Sequence, residues 1–141
     1  MKNLIVFVMT IFLSLNCFAQ DSKAKQTVEE YLDALNTGKR ELQSSFFADK
    51  IERYYGLKDT DKATVHDKLV KWTKPTTVKP IGKITIKADK DGYIVVFYFR
   101  LNDNKNYYKR IKLNFDYKIY YMRDFEDKEE DRTKALLNLK D

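Results

Sequence analysis

The stretch from Ile81 to Phe125 constrains this chain more than any other. Four runs rich in Ile, Val, Tyr and Phe follow one another: Ile84–Ala88, Tyr93–Leu101, Tyr107–Leu113 and Lys118–Phe125. Between them stand Asp89-Lys90-Asp91-Gly92, then Asn102-Asp103-Asn104-Lys105-Asn106, then a corner near Asn114 and Asp116. β-Branched and aromatic runs bounded by Gly, Asn and Asp predict strands of an antiparallel meander. A sheet of this composition must cover at least one face, and the residues upstream read as the cover.

Asp21 to Lys39 predicts a helix, because Val28, Tyr31, Leu32 and Leu35 fall on one helical face and Glu29, Glu30 and Asp33 lie off it. Thr37-Gly38 stops it. Arg40 to Asp49 predicts a shorter helix with Leu42, Phe46 and Phe47 on its apolar edge. Ile51 to Leu57 predicts one short strand, bent at Gly56. Thr60 to Lys74 predicts a third helix, capped by Thr60 or Asp61, buried along Val65, Leu69 and Trp72, and ended by Pro75.

The N-terminus reads as a secretory signal over residues 1–19. Lys2 is followed by an apolar run from Leu4 to Leu15 and by Cys17-Phe18-Ala19, with cleavage expected after Ala19. The rival reading is lipid anchoring at Cys17, against which Asn16 stands where a small residue is usual. Either way the product is exported, to the periplasm or beyond, without a transmembrane segment. The domain then runs over residues 20–125, and 126–141 is a charged tail or short helix, with Ala135, Leu136 and Leu139 on its apolar side. Cys17 is the sole cysteine of the 141 residues, so the domain's stability rests on a core rather than on disulfides. The formal charge is +6, but the lysines are scattered and form no long basic run, which speaks for a solvated surface and against nucleic acid.

Strand alternation sorts side chains by face. Tyr93, Val95, Phe97, Phe99 and Leu101 make one face wholly apolar, and Ile94, Val96, Tyr98 and Arg100 make the other half so. A strand apolar on both sides is covered on both. Tyr98, Tyr108, Tyr120 and Met122 are assigned to the second face as an aromatic patch and a homodimer interface. Simple alternation puts Lys109 and Arg123 on the covered face beside core residues, where cations need a partner or a ligand. A pocket for a small, partly apolar and anionic ligand follows, with Trp72, Lys109, Tyr121 and Arg123 as its candidate residues. Snorkelling stems or a bulge that flips the parity is the structural alternative.

Val28-Glu29-Glu30-Tyr31-Leu32-Asp33-Ala34-Leu35-Asn36-Thr37-Gly38, Phe46-Phe47-Ala48-Asp49 and Tyr54-Tyr55-Gly56, with Asp116-Tyr117-Lys118-Ile119 and Phe125-Glu126-Asp127 at the end, resemble the NTF2-like (SnoaL-like) superfamily. The resemblance spans about Ala24 to Asp127. It implies an α+β, NTF2-like/cystatin-like cone, with N-terminal helices packed on a curved antiparallel sheet and a pocket at one end. It also implies dimers through the sheet, and it places enzymes and binding proteins on one scaffold.

Isomerases of that group need an inward carboxylate. Alternation offers Tyr93, Tyr107, Lys109, Tyr117, Tyr121 and Arg123 inward, with Asp116 and Asp124 on the other parity. His66, the single histidine, lies beside the buried stripe of the third helix and reads as a boundary residue. No metal site and no cofactor is expected from one His and no Cys in the domain. Three readings remain: an exported non-catalytic binding domain, an interaction module working through the Tyr98 face, and an enzyme using a tyrosine or His66.

Overall fold

The structure is a computed structural model that describes residues 21–73, 76–101 and 105–126. The expected signal segment over residues 1–19 and the expected tail after Glu126 lie outside the described residues. Three helices, α1 (residues 21–36), α2 (Arg40–Ser45) and α3 (Lys62–Val70), pack with six strands. The strands are β1 (Lys50–Tyr54), β2 (Leu57–Asp61), β3 (Lys79–Asp89), β4 (Gly92–Arg100), β5 (Asn106–Leu113) and β6 (Ile119–Glu126). They form one sheet in the order β2-β1-β6-β5-β4-β3. Every neighbouring pair is antiparallel except β1 and β6, which run parallel.

The expected meander is therefore present as β3 to β6. Gly92 opens β4 with φ +142, and a Cβ there would stand 2.0 Å from the Leu113 carbonyl oxygen, so only glycine allows this approach of β4 to the end of β5. The helix α1 ends where Gly38 takes φ +70, as the Thr37-Gly38 signal predicts. It buries Ala24, Val28, Tyr31, Leu32 and Leu35 in the main core. The helix α3 begins at Asp61, whose carboxylate accepts the Thr64 N–H at 2.8 Å. That bond holds the Asp61 carboxyl below its usual range. Only Val65 and Leu69 of α3 are buried. At ~1.5–3 kcal/mol per fully buried apolar side chain, α3 is the less firmly anchored wall of the core.

Two expectations about the middle of the chain are corrected. The single strand over Ile51–Leu57 is instead a hairpin, because Tyr54 pairs with Leu57 and the chain reverses through Tyr55 and Gly56. Tyr55, rather than the glycine, takes the left-handed conformation, at φ 52. A bulky residue there costs about 1–3 kcal/mol and persists only when its surroundings impose it. Here the Tyr55 N–H donates to the Met122 carbonyl at 3.0 Å, which ties the turn to β6. Trp72 is the second correction: α3 stops at Val70, so Trp72 leaves the buried stripe and is half exposed.

The sheet has two unlike faces. The core face carries Tyr93, Val95, Phe97 and Phe99 of β4, Ile111 and Leu113 of β5, and Ile119 and Met122 of β6. The other face carries Ile94, Val96 and Phe125 as a second buried cluster, with Tyr108 packed against it. Both faces of β4 are thus buried, as its composition predicts. Tyr98 and Tyr108 lie together on that second face with ring centroids 5.0 Å apart.

Register decides which side chains of β6 face the core. Leu113 pairs with Ile119, but Lys112 pairs with Tyr121, so Tyr120 is an extra residue in β6. This is a β-bulge, and it inverts the alternation for the rest of the strand. Met122 and Asp124 turn inward, opposite Ile111 and Lys109. Tyr121, Arg123 and Phe125 turn outward, opposite Lys112, Arg110 and Tyr108. Simple alternation from Ile119 predicts the reverse, and four expectations fail with it. Tyr121 and Arg123 are not on the core face, Met122 is not on the outer patch, and an inward carboxylate does exist. The inversion also has an electrostatic reason. Without it Arg123 would share the core face with buried Lys109, and two unit charges ~4 Å apart repel by about 4 kcal/mol at an effective dielectric constant of 20.

Candidate functional site

A cavity of about 300 Å³ lies between the helices and the core face. Leu35 of α1, Leu69 of α3, Val78 and Leu101 give it apolar walls. Tyr31, Tyr54, Tyr55, Lys109 and Asp124 supply its polar atoms. Trp72 stands at its edge, where its indole N–H donates to the Thr76 hydroxyl at 3.1 Å. Asn36 fixes the same wall from α1: its side chain accepts the Val78 N–H at 2.8 Å and donates to the Val78 carbonyl at 3.0 Å.

Aromatic rings connect the helical layer to this cavity in a line of edge-to-face contacts. Tyr31 meets Phe47 at 5.8 Å, Phe47 meets Tyr54 at 5.3 Å, and Tyr54 meets Tyr55 at 4.8 Å between ring centroids. Such pairs each add ~0.5–1.5 kcal/mol beyond their buried area, so the tyrosines lining the cavity are held in place before any ligand arrives. The strained Tyr55 turn serves the same end, since it aims the Tyr55 hydroxyl at Lys109.

Lys109 is the charged centre of the cavity and is 1% exposed. Its ammonium donates to the Asp124 carboxylate at 2.5 Å and to the Tyr55 hydroxyl at 2.8 Å. It also stands 4.9 Å from the centroids of the Tyr55 and Phe99 rings. A buried ammonium without a counter-charge would be costly, and Asp124 directly across the β5–β6 ladder supplies that charge. Asp124 is more open than its partner, with 22% of its side chain exposed against 1%. Its second oxygen, Oδ2, has no hydrogen-bond partner among the described residues.

The tyrosines are tuned in one direction. Burial, with the nearby Tyr54 and Asp124, pushes the Tyr55 hydroxyl well above the ordinary value of 10.0. Burial is also the main cause for Tyr31, helped by Tyr54, Tyr55 and Asp124. Tyr54 is pushed up to about 12, chiefly by burial, with Lys109 pulling the other way. All three therefore stay protonated and act as hydrogen-bond donors rather than bases. Tyr31 donates to the Met122 sulfur at 3.6 Å. Tyr55 accepts from Lys109, which leaves its own proton to donate elsewhere. No hydrogen bond among the described residues ends on the Tyr54 hydroxyl.

Neither a protein-family model nor a curated protein matches the sequence. Solved structures do match the fold. An NTF2-like protein of unknown function from Cytophaga hutchinsonii superposes with a TM-score of 0.53 at 10% identity, over 74% of this chain and 89% of that one. A ketosteroid isomerase-like protein from Kribbella flavida gives 0.52 at 16% identity, over 77% and 81%. The chain has the NTF2-like fold. The Orange Carotenoid Protein of Anabaena with canthaxanthin bound gives a TM-score of 0.65 at 18% identity over 80% of this chain, which spans only 38% of that protein's length.

Within the NTF2-like cone the sequence-derived candidates separate. Trp72 and Lys109 meet at the cavity. Tyr121 and Arg123 are on the opposite face of the sheet, where the Lys112 ammonium lies 4.7 Å from the Tyr121 ring and the Arg123 guanidinium 4.7 Å from the Phe125 ring. Tyr98 and Tyr108 are on that outer face, whereas Met122 is fully buried in the core. Tyr120 sits at the bulge and faces a separate open cleft with Glu52 and Asp91. Burial and those acidic neighbours, together with Asp89, push its hydroxyl up to about 12. His66 lies 3.8 Å from Glu41, joining α3 to α2, and does not line the cavity.

Sequence reasoning missed Asp124, Tyr54 and Tyr55 as site residues. Tyr54-Tyr55-Gly56 carried a usable signal, since aromatic residues beside a glycine mark a turn whose rings are aimed by the backbone. Asp124 carried none without knowledge of the bulge.

Proposed function

We propose that this protein is an exported binding domain that holds a small molecule in the cavity beneath α1 and α3. The single observation carrying this reading is the composition of that cavity. Apolar walls surround one buried Lys109–Asp124 pair and two tyrosine hydroxyls with protons to donate, the pattern of sites that bury a ligand and orient it by a few polar anchors. Its volume of about 300 Å³ is at the small end for such sites. The carotenoid-bound neighbour supports the reading to the extent that a ligand site is compatible with this scaffold. Export rests on the N-terminal sequence, from Lys2 to Ala19. Homodimerisation through the outer face around Tyr98 and Tyr108 belongs to the same proposal.

Native mass spectrometry of the full-length gene product, purified from its own host, tests all three parts. The expected spectrum shows a chain beginning at Gln20, a retained small molecule and a dimer. Leu101→Trp, which adds bulk to a wall of the cavity, should release the molecule without changing subunit number. A bare polypeptide from the host, with no mass beyond the chain's own in either wild type or Leu101→Trp, would count against a binding domain.

A further inference from the structure

Building on that binding role, we infer that Asp124 sets the ligand's charge: the cavity takes a neutral molecule bearing a hydrogen-bond acceptor and rejects anions. The inference reverses the first expectation for a buried lysine, which is an anion receptor. Lys109 is 1% exposed and its charge is already met by Asp124 across the ladder. The pair is neutral overall, and a carboxylate entering beside it would meet the Asp124 carboxylate, whose Oδ2 faces no partner among the described residues. Like charges brought together in a poorly hydrated site cost several kcal/mol, so the pair acts as a filter.

What the cavity offers instead is donors. The Tyr55 hydroxyl accepts from Lys109 at 2.8 Å and so points its own proton away from the ammonium. The Tyr54 hydroxyl lines the same cavity. A ketone, ether or amide oxygen complements these groups, and an aromatic or alicyclic body complements Leu35, Leu69 and Val78. The volume equals about ten waters at ~30 Å³ each, which suits a molecule of one or two rings.

The test uses two size-matched probes, acetophenone and benzoate, titrated into the full chain near neutral pH and followed by amide shifts of Tyr55, Lys109 and Asp124. In wild type, acetophenone should move these signals and benzoate should not at the same concentration. In Asp124→Asn, which keeps the shape and removes the charge, the order should invert, with benzoate gaining about tenfold or more, as for close charge pairs elsewhere. Lys109→Gln is the reciprocal variant: it leaves the carboxylate alone, and benzylammonium should then displace acetophenone as the preferred probe. Benzoate binding wild type at least as well as acetophenone would overturn the inference while leaving the binding role intact. So would a probe order unchanged in both variants. Absence of any shift from any probe, in folded protein, would overturn the cavity as a binding site altogether.

Discussion

Lys109 and Arg110 are neighbours in the chain, both 1% exposed, and they face opposite sides of the sheet. Their surroundings differ in kind. Lys109 is turned toward a cavity, with a carboxylate and a phenol as partners, and the carboxylate is partly open. Arg110 is turned toward aromatic rings, with its guanidinium 5.1 Å from the Phe125 centroid and 6.0 Å from that of Tyr121. A broad, weakly hydrated guanidinium is well suited to lie over rings, whereas a compact ammonium needs an acceptor it can reach. The difference teaches that burial of a cation does not by itself mark a site. The mark is a cavity onto which the cation and a partly open carboxylate both face.

The largest effect should come from breaking the inner pair. Asp124→Leu leaves Lys109 buried without its counter-charge, and urea unfolding should show a loss of ~3–5 kcal/mol. Lys109→Met combined with Asp124→Leu should recover most of that loss, because a packed apolar pair of similar volume replaces the ions. A single variant as stable as wild type would mean that Lys109 has another route to solvent, and the contrast with Arg110 would collapse.

An alkaline titration comes next in size. Tyr31, Tyr54 and Tyr55 have raised values in the folded state, Tyr54 at about 12 against 10.0 unfolded. The contribution of Tyr54 to stability is therefore complete below pH 10 and is lost as the pH climbs through about 12, and those of Tyr31 and Tyr55, also raised by burial, are lost in the same alkaline direction. Phenolate absorbance and circular dichroism, recorded together, should show these three ionising as the fold is lost. Ionisation of Tyr54 in the ordinary range with the fold intact would show that the cavity is wet.

The smallest effect belongs to the outer face. Phe125→Leu keeps an apolar side chain over Ile94 and Val96 but removes the ring beside Arg110 and Arg123. The expected loss is about 1–2 kcal/mol, and acetophenone should bind as in wild type. Lost probe binding in this variant would mean that the two faces are coupled and that the distinction between them is too sharp.

Much of the fold was legible because it rests on local signals. Period-2 runs, the Asp89-Lys90-Asp91-Gly92 turn and the helical spacing of Val28, Tyr31, Leu32 and Leu35 each act within a few residues, and each appears where expected. The β1–β2 hairpin was not legible, because its turn places a tyrosine at positive φ, against local preference, through a bond to Met122 far along the chain. Of the cavity lining, Lys109 was legible as a cation among core residues and Trp72 as an aromatic residue of the third helix. Asp124 was hidden because one unpaired residue, Tyr120, changes the side to which everything after it points. No composition or propensity records that choice. It is made by the pairing with β5, where Leu113 and Ile119 meet in the core and Lys109 needs an acid.

That unpaired residue gives strand β6 something like a reading frame. Downstream of Tyr120 two alternative lists of side chains are interleaved, Met122 and Asp124 in one, Tyr121, Arg123 and Phe125 in the other. Only one list is presented to the cavity. Removing a single residue at the bulge would exchange them without altering any letter that follows, turning a compensated interior into one that carries two positive charges. On this scaffold, then, the charge of the pocket is encoded by a count of residues as much as by their identity, and two relatives with the same closing strand would bind opposite kinds of molecule if their counts differed by one.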